Sequence, residues 1–273
     1  MLSRKADHLR SFKISEHPKF SCNAREDLVG LRPTPSPTMT LAQVMSELAA
    51  KGSESVKRIF LRHGAKEPFF GVKVGDLKLI HKKLKGEQAL ALQLYATGNS
   101  DAQYLAGMIA DGTRMSRAQI QQWADTAAWD AISGFIVPWV ASEHPEGFAL
   151  AVKWIDSPKE GVARAGWSTL GALAAIVPDD QLPVKQYSAL LDRVVKSLPG
   201  APDSVRYAMN GFVIACGTYI AALGKPAIAT ARKIGRMEID MGETACKVPD
   251  AESYIIKCRR GAPVAPKRKT VRC

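Results

Sequence analysis

Residues 158–178 read PKEGVARAGWSTLGALAAIVP, a stretch bounded by proline at both ends, with charge confined to Lys159, Glu160 and Arg164 and apolar residues recurring three and four positions apart. A half-buried strand alternates inward and outward at every second residue. This stretch does not, and its period gathers the apolar side chains on one face of a helix.

Moving outward in both directions, the same kind of element repeats. LAQVMSELAA (41–50) and SVKRIFLRHG (55–64) are short amphipathic segments, and VGDLKLIHKKLKG (74–86) offers Asp76 as an N-cap and Gly86 as a C-terminal stop. On the far side, LPVKQYSALLDRVVKSL and DSVRYAMNGFVIACGTYIAAL continue the series, with Gly, Pro, Asp and Ser at the breaks. No alternating pattern persists over a useful length, which leaves a parallel sheet with a nucleotide-binding turn without support. The predicted class is all-α. The helices fall into pairs, most visibly at 116–141, 144–176 and 183–223, each ending in a long apolar helix. Hairpins of roughly 30–45 residues are the unit of HEAT-type solenoids, so the expected architecture is an α-α superhelix with a concave face. Such a face needs no cofactor, and it fits a rod such as duplex DNA or an extended protein partner.

With 273 residues, 46% of them hydrophobic, the chain can bury a large core. Its longest apolar run, FVIACGTYIAALG (212–224), falls short of the roughly 20 residues of a membrane-spanning helix. The five cysteines are odd in number and never form a CxxC pair, and the five histidines show no ligand spacing. Neither a disulfide framework nor a metal site is expected, and a cytoplasmic or DNA-associated, non-secreted monomer fits best. The net charge of +12 is uneven: residues 1–38 carry a surplus of +3, residues 39–256 of +2 and residues 257–273 of +7. Three regions follow: a leader at 1–38 ending in the Pro-rich RPTPSPT, disordered or preceding the true start at Met39; a helical repeat domain at 39–258; and a basic tail at 259–273 read as a flexible arm. Lys267, Arg268 and Lys269 in that tail would attract phosphate backbones through counterion release, or simply remain solvated. Deleting a flexible arm would leave the melting temperature unchanged.

The stretches FFGVKVGDLKLIHKKLKG (69–86), ALALQLYATGNSDAQYLAGMIAD (89–111), AWDAISGFIVPWVA (128–141), WIDSPKEGVARAGWSTL (154–170), VRYAMNGFVIACGTYI (205–220) and IDMGETACKVPDAESYI (239–255) resemble the HEAT-like-repeat DNA alkylation repair family, the AlkD-like DNA glycosylases and their relatives. The likeness spans about residues 40–258. It implies a concave surface gripping duplex DNA and, in the glycosylase branch, excision of N3- or N7-alkylated purines without flipping the base into a pocket. That branch carries a tryptophan with an aspartate four residues later. Here Trp129 matches the tryptophan, and Ser133 stands at the acid position. On a regular helix the two would share a face. Serine cannot stabilise positive charge developing on the sugar, and a carboxylate near 4 Å is worth roughly 4 kcal/mol at an effective dielectric of about 20. Asp130 is the nearby substitute, unless it caps the first turn of its own helix. Trp129 itself has a plain alternative as a packing residue like Trp123, Trp139 or Trp154.

The resemblance also places an arginine facing the DNA backbone at Arg164, with Trp167 one turn on; an inter-repeat ion pair is the other reading of Arg164. A second catalytic tryptophan of the branch has no counterpart, because MNGFVI offers Gly211 and Phe212. Arg206 and Asn210 lie one turn apart among apolar residues and are either satisfied structural groups or part of a DNA-binding site. Asp240, Glu243, Thr244, Cys246 and Lys247 share a loop that reads as structural. Two functions stay open: a DNA-binding repair protein whose excision chemistry is altered at Ser133, and a non-catalytic helical scaffold for a protein partner.

Overall fold

The structure is a computed structural model describing residues 39–240 and 246–272. Among the described residues there are thirteen α-helices and no strand. The first five are α1 (Leu41–Ala50), α2 (Glu54–Arg62), α3 (Val74–Lys83), α4 (Gln88–Ala96) and α5 (Ser100–Ile109). Then come α6 (Arg117–Asp125), α7 (Val137–Glu143), α8 (Gly147–Trp154), α9 (Glu160–Ile176) and α10 (Val184–Ser197). The series closes with α11 (Asp203–Tyr219), α12 (Gly224–Ile234) and α13 (Ala251–Arg259). The predicted hairpins are present as α6 with α7, α8 with α9, and α10 with α11.

Capping side chains set several starts. Thr40 and Ser116 close capping boxes with Gln43 and Gln119, Asn99 accepts the N–H groups of Asp101 and Ala102, and Asp250 accepts that of Ser253. Asp76 does not have the capping role expected of it. Lys73 occupies the N-cap of α3, and Asp76 sits within the first turn, where its carboxylate is 3.4 Å from the Lys51 ammonium. Gly86 has φ of 81°, the left-handed conformation that suits glycine after a helix.

Two hydrophobic clusters make up the core, and they meet on α9. Val162 and Ala165 belong to the first, which extends back to Val44; Ala163, Trp167 and Leu170 belong to the second, which extends to Ile255. The two faces of one long apolar helix therefore join the halves of the stack, which is the packing consequence of the sequence at 158–178. Gly166 allows α8 and α9 to approach closely, since a Cβ there would lie 2.8 Å from the Ile155 nitrogen and 2.9 Å from the Ala151 oxygen.

Residues 260–272 correct the expectation of a flexible arm. They form a strap held to the main chain of successive helices: Ala265 N–H donates to the Thr218 carbonyl and Arg268 N–H to that of Ala175, each at 2.8 Å. The Lys267 ammonium lies 2.8 Å from the Ala174 carbonyl and 2.7 Å from an Asp179 oxygen. Arg272 donates to the carbonyls of Gly107 and Ala110 at 2.6 and 2.7 Å and pairs with Glu143. The physical reason is the negative end of each helix. Carbonyls in the last turns of α5, α9 and α11 have no intrahelical donors, and a cationic segment supplies them. The expected leader at 1–38, together with Glu243 and Thr244 of the loop, lies outside the described residues.

Candidate functional site

Of the five tryptophans, four are at most 4% exposed: Trp123, Trp139, Trp154 and Trp167. Trp129 is half-buried and stands at the edge of a cleft. It precedes its helix: the N–H groups of Ile132 and Ser133 both donate to its carbonyl, at 3.0 and 3.1 Å. Its ring lies against Phe60 of α2 with centroids 5.8 Å apart.

The helix after Trp129 is irregular. Residues Ile132–Ile136 form a π-helical segment in which the Val137 N–H donates to the Ile132 carbonyl. Pro138 has no N–H to offer the carbonyl four residues before it, so the wider winding accommodates a missing donor. This segment redirects the residues expected to act together. Ser133 is 2% exposed; its hydroxyl donates to the Asp130 carbonyl at 3.4 Å, and its Cβ faces Gly161 at the start of α9. The shared face inferred for Trp129 and Ser133 is therefore corrected. Trp129 lies before the helix and its indole does not follow the helical wheel, while Ser133 turns into the α9 contact. Phe135, half-exposed, takes the groove-facing place instead.

Asp130 does not cap its helix turn with its side chain. Its carboxylate is 54% exposed and lies 3.3 Å from Arg164 Nη1. Arg164, buried on α9, also donates from Nε to the Asp130 carbonyl and from Nη1 to the Ser204 carbonyl, each at 3.1 Å, and its guanidinium sits over the Tyr207 ring. Burial pushes the Arg164 pKa down, opposed by Asp130, Tyr207 and Glu160. Three successive hairpins are thus tied by one guanidinium, the inter-repeat alternative foreseen for this residue. Gly134 makes room for it: a Cβ there would fall 2.6 Å from Arg164 Nε.

Other expected DNA contacts are redistributed. Trp167 is fully buried edge-on against Phe212, with centroids 5.2 Å apart, and cannot touch a ligand; its apolar surroundings between α9 and α11 explain the correction. Phe212, at the position compared with the second tryptophan, is equally buried. Asn210 is 1% exposed and donates to the Pro249 carbonyl at 2.8 Å, fastening the segment before α13. Arg206 pairs with Asp203 at 2.9 Å and donates to the Glu238 carbonyl. On the strap, Lys267 is engaged as described, whereas Arg268 and Lys269 are exposed and Arg268 lines the groove between α7, α9 and α11. Cys246 is exposed, and burial pushes the Cys216 thiol well up from its ordinary value.

The cleft beside Trp129 measures about 630 Å³ and is walled by α2, the π segment, and the starts of α9 and α11. Asp130, Glu160, Asp203 and Asp240 supply carboxylates, and Arg62, His63 and Arg164 the basic groups. None of the lysines at 73, 78, 82, 83 and 85 reaches its wall. Sequence reasoning missed Phe60 and Phe135. Both look like ordinary core residues in a helical period, and only their packing around Trp129 distinguishes them.

A family model described as DNA alkylation repair enzyme matches residues 44–247. The chain belongs to the DNA alkylation repair enzyme family. Curated relatives include the uncharacterized proteins Lin0241 of Listeria innocua, 33% identical, and Lmo0209 of Listeria monocytogenes, 32% identical; each alignment covers 81% of this chain and 98% of the relative. A solved structure superimposes with a TM-score of 0.78 at 35% identity, covering 86% of this chain and all of the other. It is described as a new family of proteins related to the HEAT-like repeat DNA glycosylases with affinity for branched DNA structures. Among the described residues there is no group of three or more His, Cys, Asp or Glu side chains that could hold a metal ion, and no single helix long and apolar enough to cross a membrane.

Proposed function

We propose that this protein binds duplex DNA at branched or distorted sites in the cleft centred on Trp129, and that its excision of N3- or N7-alkylated purines is feeble. The observation that carries the reading is the state of the acid position: Ser133 is buried away from the cleft, and the adjacent Asp130 carboxylate is held by Arg164. A glycosidic bond breaks with positive charge on the sugar, and a carboxylate engaged by a guanidinium stabilises that charge less than a free one. The similarity to a protein with affinity for branched DNA supports the binding half. So does the charge arrangement. Four carboxylates in the cleft's walls, against Arg62, His63 and Arg164, disfavour phosphates there, while Arg268 and Lys269 lie exposed on the strap and Arg268 lines the groove between α7, α9 and α11. Phosphates would then be gripped at the margins, with sugars and bases turned toward the centre.

The test pairs fluorescence anisotropy on a four-way junction and a linear duplex with a base-release assay on N7-methylguanine duplex. We expect the junction to bind more tightly than the linear duplex and base release to stay close to the spontaneous rate. Brisk release that disappears in Asp130→Asn would make Asp130 a catalytic acid and overturn the excision half. Absence of DNA binding at low salt would remove the nucleic-acid reading and favour the protein-scaffold alternative.

A further inference from the structure

The charges of α3 fall on two sides of the helix. Asp76 and Lys83 turn toward α1, where they pair with Lys51 and Glu47. Lys78 and Lys82, one turn apart, lie on the other side, and Lys85 follows in the turn after the helix; all three are exposed. The strap arrives on that same side. Partial burial and the charges of Lys85 and Arg272 hold the His81 pKa below its ordinary value, so the end of the strap and the end of α3 meet at this histidine. Arg272 donates to the last carbonyls of α5 and the Arg268 N–H to Ala175 near the end of α9, while α9, α7, α5 and α3 pack in succession. A basic rim therefore runs from Arg268 and Lys269 past Arg272 to Lys85, Lys82 and Lys78. Among the described residues, none of Lys78, Lys82, Lys85, Arg268 and Lys269 pairs with a carboxylate. Glu143 and Asp179, on the path of the strap, are engaged by Arg272 and Lys267. Asp111 and Asp180 remain beside the rim and are outnumbered by these cations.

We infer that this rim seats a second duplex arm of branched DNA, held by its phosphates while another arm occupies the cleft beside Trp129. The inference rests on the DNA-binding reading proposed above and adds to it a second surface and a physical reason for preferring a branch. Lys78, Lys82 and Lys85 do not reach the wall of the cleft, so a duplex seated there leaves them free for another. Charge and length both fit a duplex. Unpaired cations strung along a line match a phosphate backbone, whose counterions they release on contact. Three helix-to-helix intervals of roughly 8–10 Å separate α9 from α3. The rim therefore covers about 24–30 Å, most of the ~34 Å of one duplex turn. Contacts of this kind position a duplex without reading its sequence. When two arms of one molecule are held at once, the second contact is intramolecular, and affinity for the junction rises with no new kind of interaction. A linear duplex seated in the cleft has no second arm to offer.

The experiment uses the full chain. Anisotropy titrations of a four-way junction and a linear duplex are run across a range of salt concentrations, and the bound junction is footprinted with hydroxyl radicals. Each phosphate contact contributes about 0.9 to the slope of log K against log salt. Wild type should show a steeper slope on the junction than on the linear duplex and should protect the backbone of two arms. In the triple variant Lys78→Gln, Lys82→Gln, Lys85→Gln the junction slope should fall by about 2–3, protection of one arm should vanish, and the linear duplex should bind as before. Glutamine matches lysine in helix propensity, so the fold of α3 is retained. Lys83→Gln, on the α1 side, is the control and should leave the junction slope unchanged. Wild-type protection confined to one arm, or protection of two arms kept by the triple variant, would overturn the second seat while leaving DNA binding intact. An equal loss of slope on junction and linear duplex, or a matching loss per lysine from Lys83→Gln, would overturn it too, by making these lysines a diffuse charge. No anisotropy change with either DNA in wild type would remove the DNA-binding reading and the seat together.

Discussion

Asp101 accepts three backbone N–H groups, from Phe70 at 2.6 Å, Gly71 at 3.0 Å and Val72 at 3.1 Å, and so anchors the turn before α3 to the start of α5. Burial pushes its pKa up, and the three N–H groups oppose that rise by favouring the ionised form. Asp101→Asn keeps the size but turns one acceptor into a donor facing N–H groups. Charge-assisted bonds are worth about 1.5–3 kcal/mol each, so a melting temperature lower by roughly 5–12 °C is expected, measured by calorimetry. Ser133 makes the converse case. Placing a carboxylate at this buried position would cost about 3 kcal/mol or more, so Ser133→Asp should melt some 6–12 °C lower and gain no base-release activity. A faster release rate with an unchanged melting temperature would show that position 133 reaches the cleft. Trp129 was legible as a candidate from its family position. The facing of Ser133 was not, because the four-residue spacing argument presumes a regular helix containing both residues, and here the tryptophan lies before the helix and a π segment follows.

At the scale of elements, the seam between the π segment and α9 depends on a missing side chain. Gly134 leaves the space in which Arg164 reaches Asp130 and Ser204, and a methyl group there would meet Arg164 Nε at 2.6 Å and Nη2 at 2.9 Å. Gly134→Ala should therefore displace the guanidinium and destabilise the protein by about 1–3 kcal/mol, the usual cost of overpacking. Gly134→Ala and Arg164→Ala should be strongly non-additive in a double-mutant cycle of chemical denaturation, because both break the same contact. Additive losses would mean that Arg164 does not lean on position 134. Helix pairs such as α8 with α9 were readable because an apolar period is a local property of sequence. The cleft was not, because its walls come from α2, the π segment, α9 and α11, and Phe60, Phe135 and Tyr207 carry no local mark distinguishing a groove ring from a core ring.

Across the whole molecule, the strap joins helix ends far apart in sequence: the Ala265 N–H donates to Thr218, Lys267 to Ala174, and Arg272 to Gly107 and Ala110. Its composition, basic and without apolar period, is that of a solvated arm. What orders it is invisible in a linear reading, since its partners are main-chain carbonyls exposed only once the helices are stacked. Removing residues 261–273 should lower the melting temperature by roughly 6–12 °C, equivalent to about 3 kcal/mol, where a flexible arm would leave it unchanged. The Asp179 contact adds a pH signature. Burial works to raise the Asp179 carboxyl, but the Lys267 ammonium and the Ala221 N–H outweigh it and hold its pKa below the ordinary 3.8. A carboxyl depressed on folding contributes stability that is fully present above its unfolded pKa and is lost as the pH falls through the folded value. The difference in melting temperature between wild type and Asp179→Asn should accordingly be constant from neutral pH down to about 5 and shrink below about 4. A difference that persists unchanged to the lowest pH at which both proteins fold would mean that the ion pair with Lys267 does not help hold the strap, leaving that work to Arg272 and the two backbone bonds.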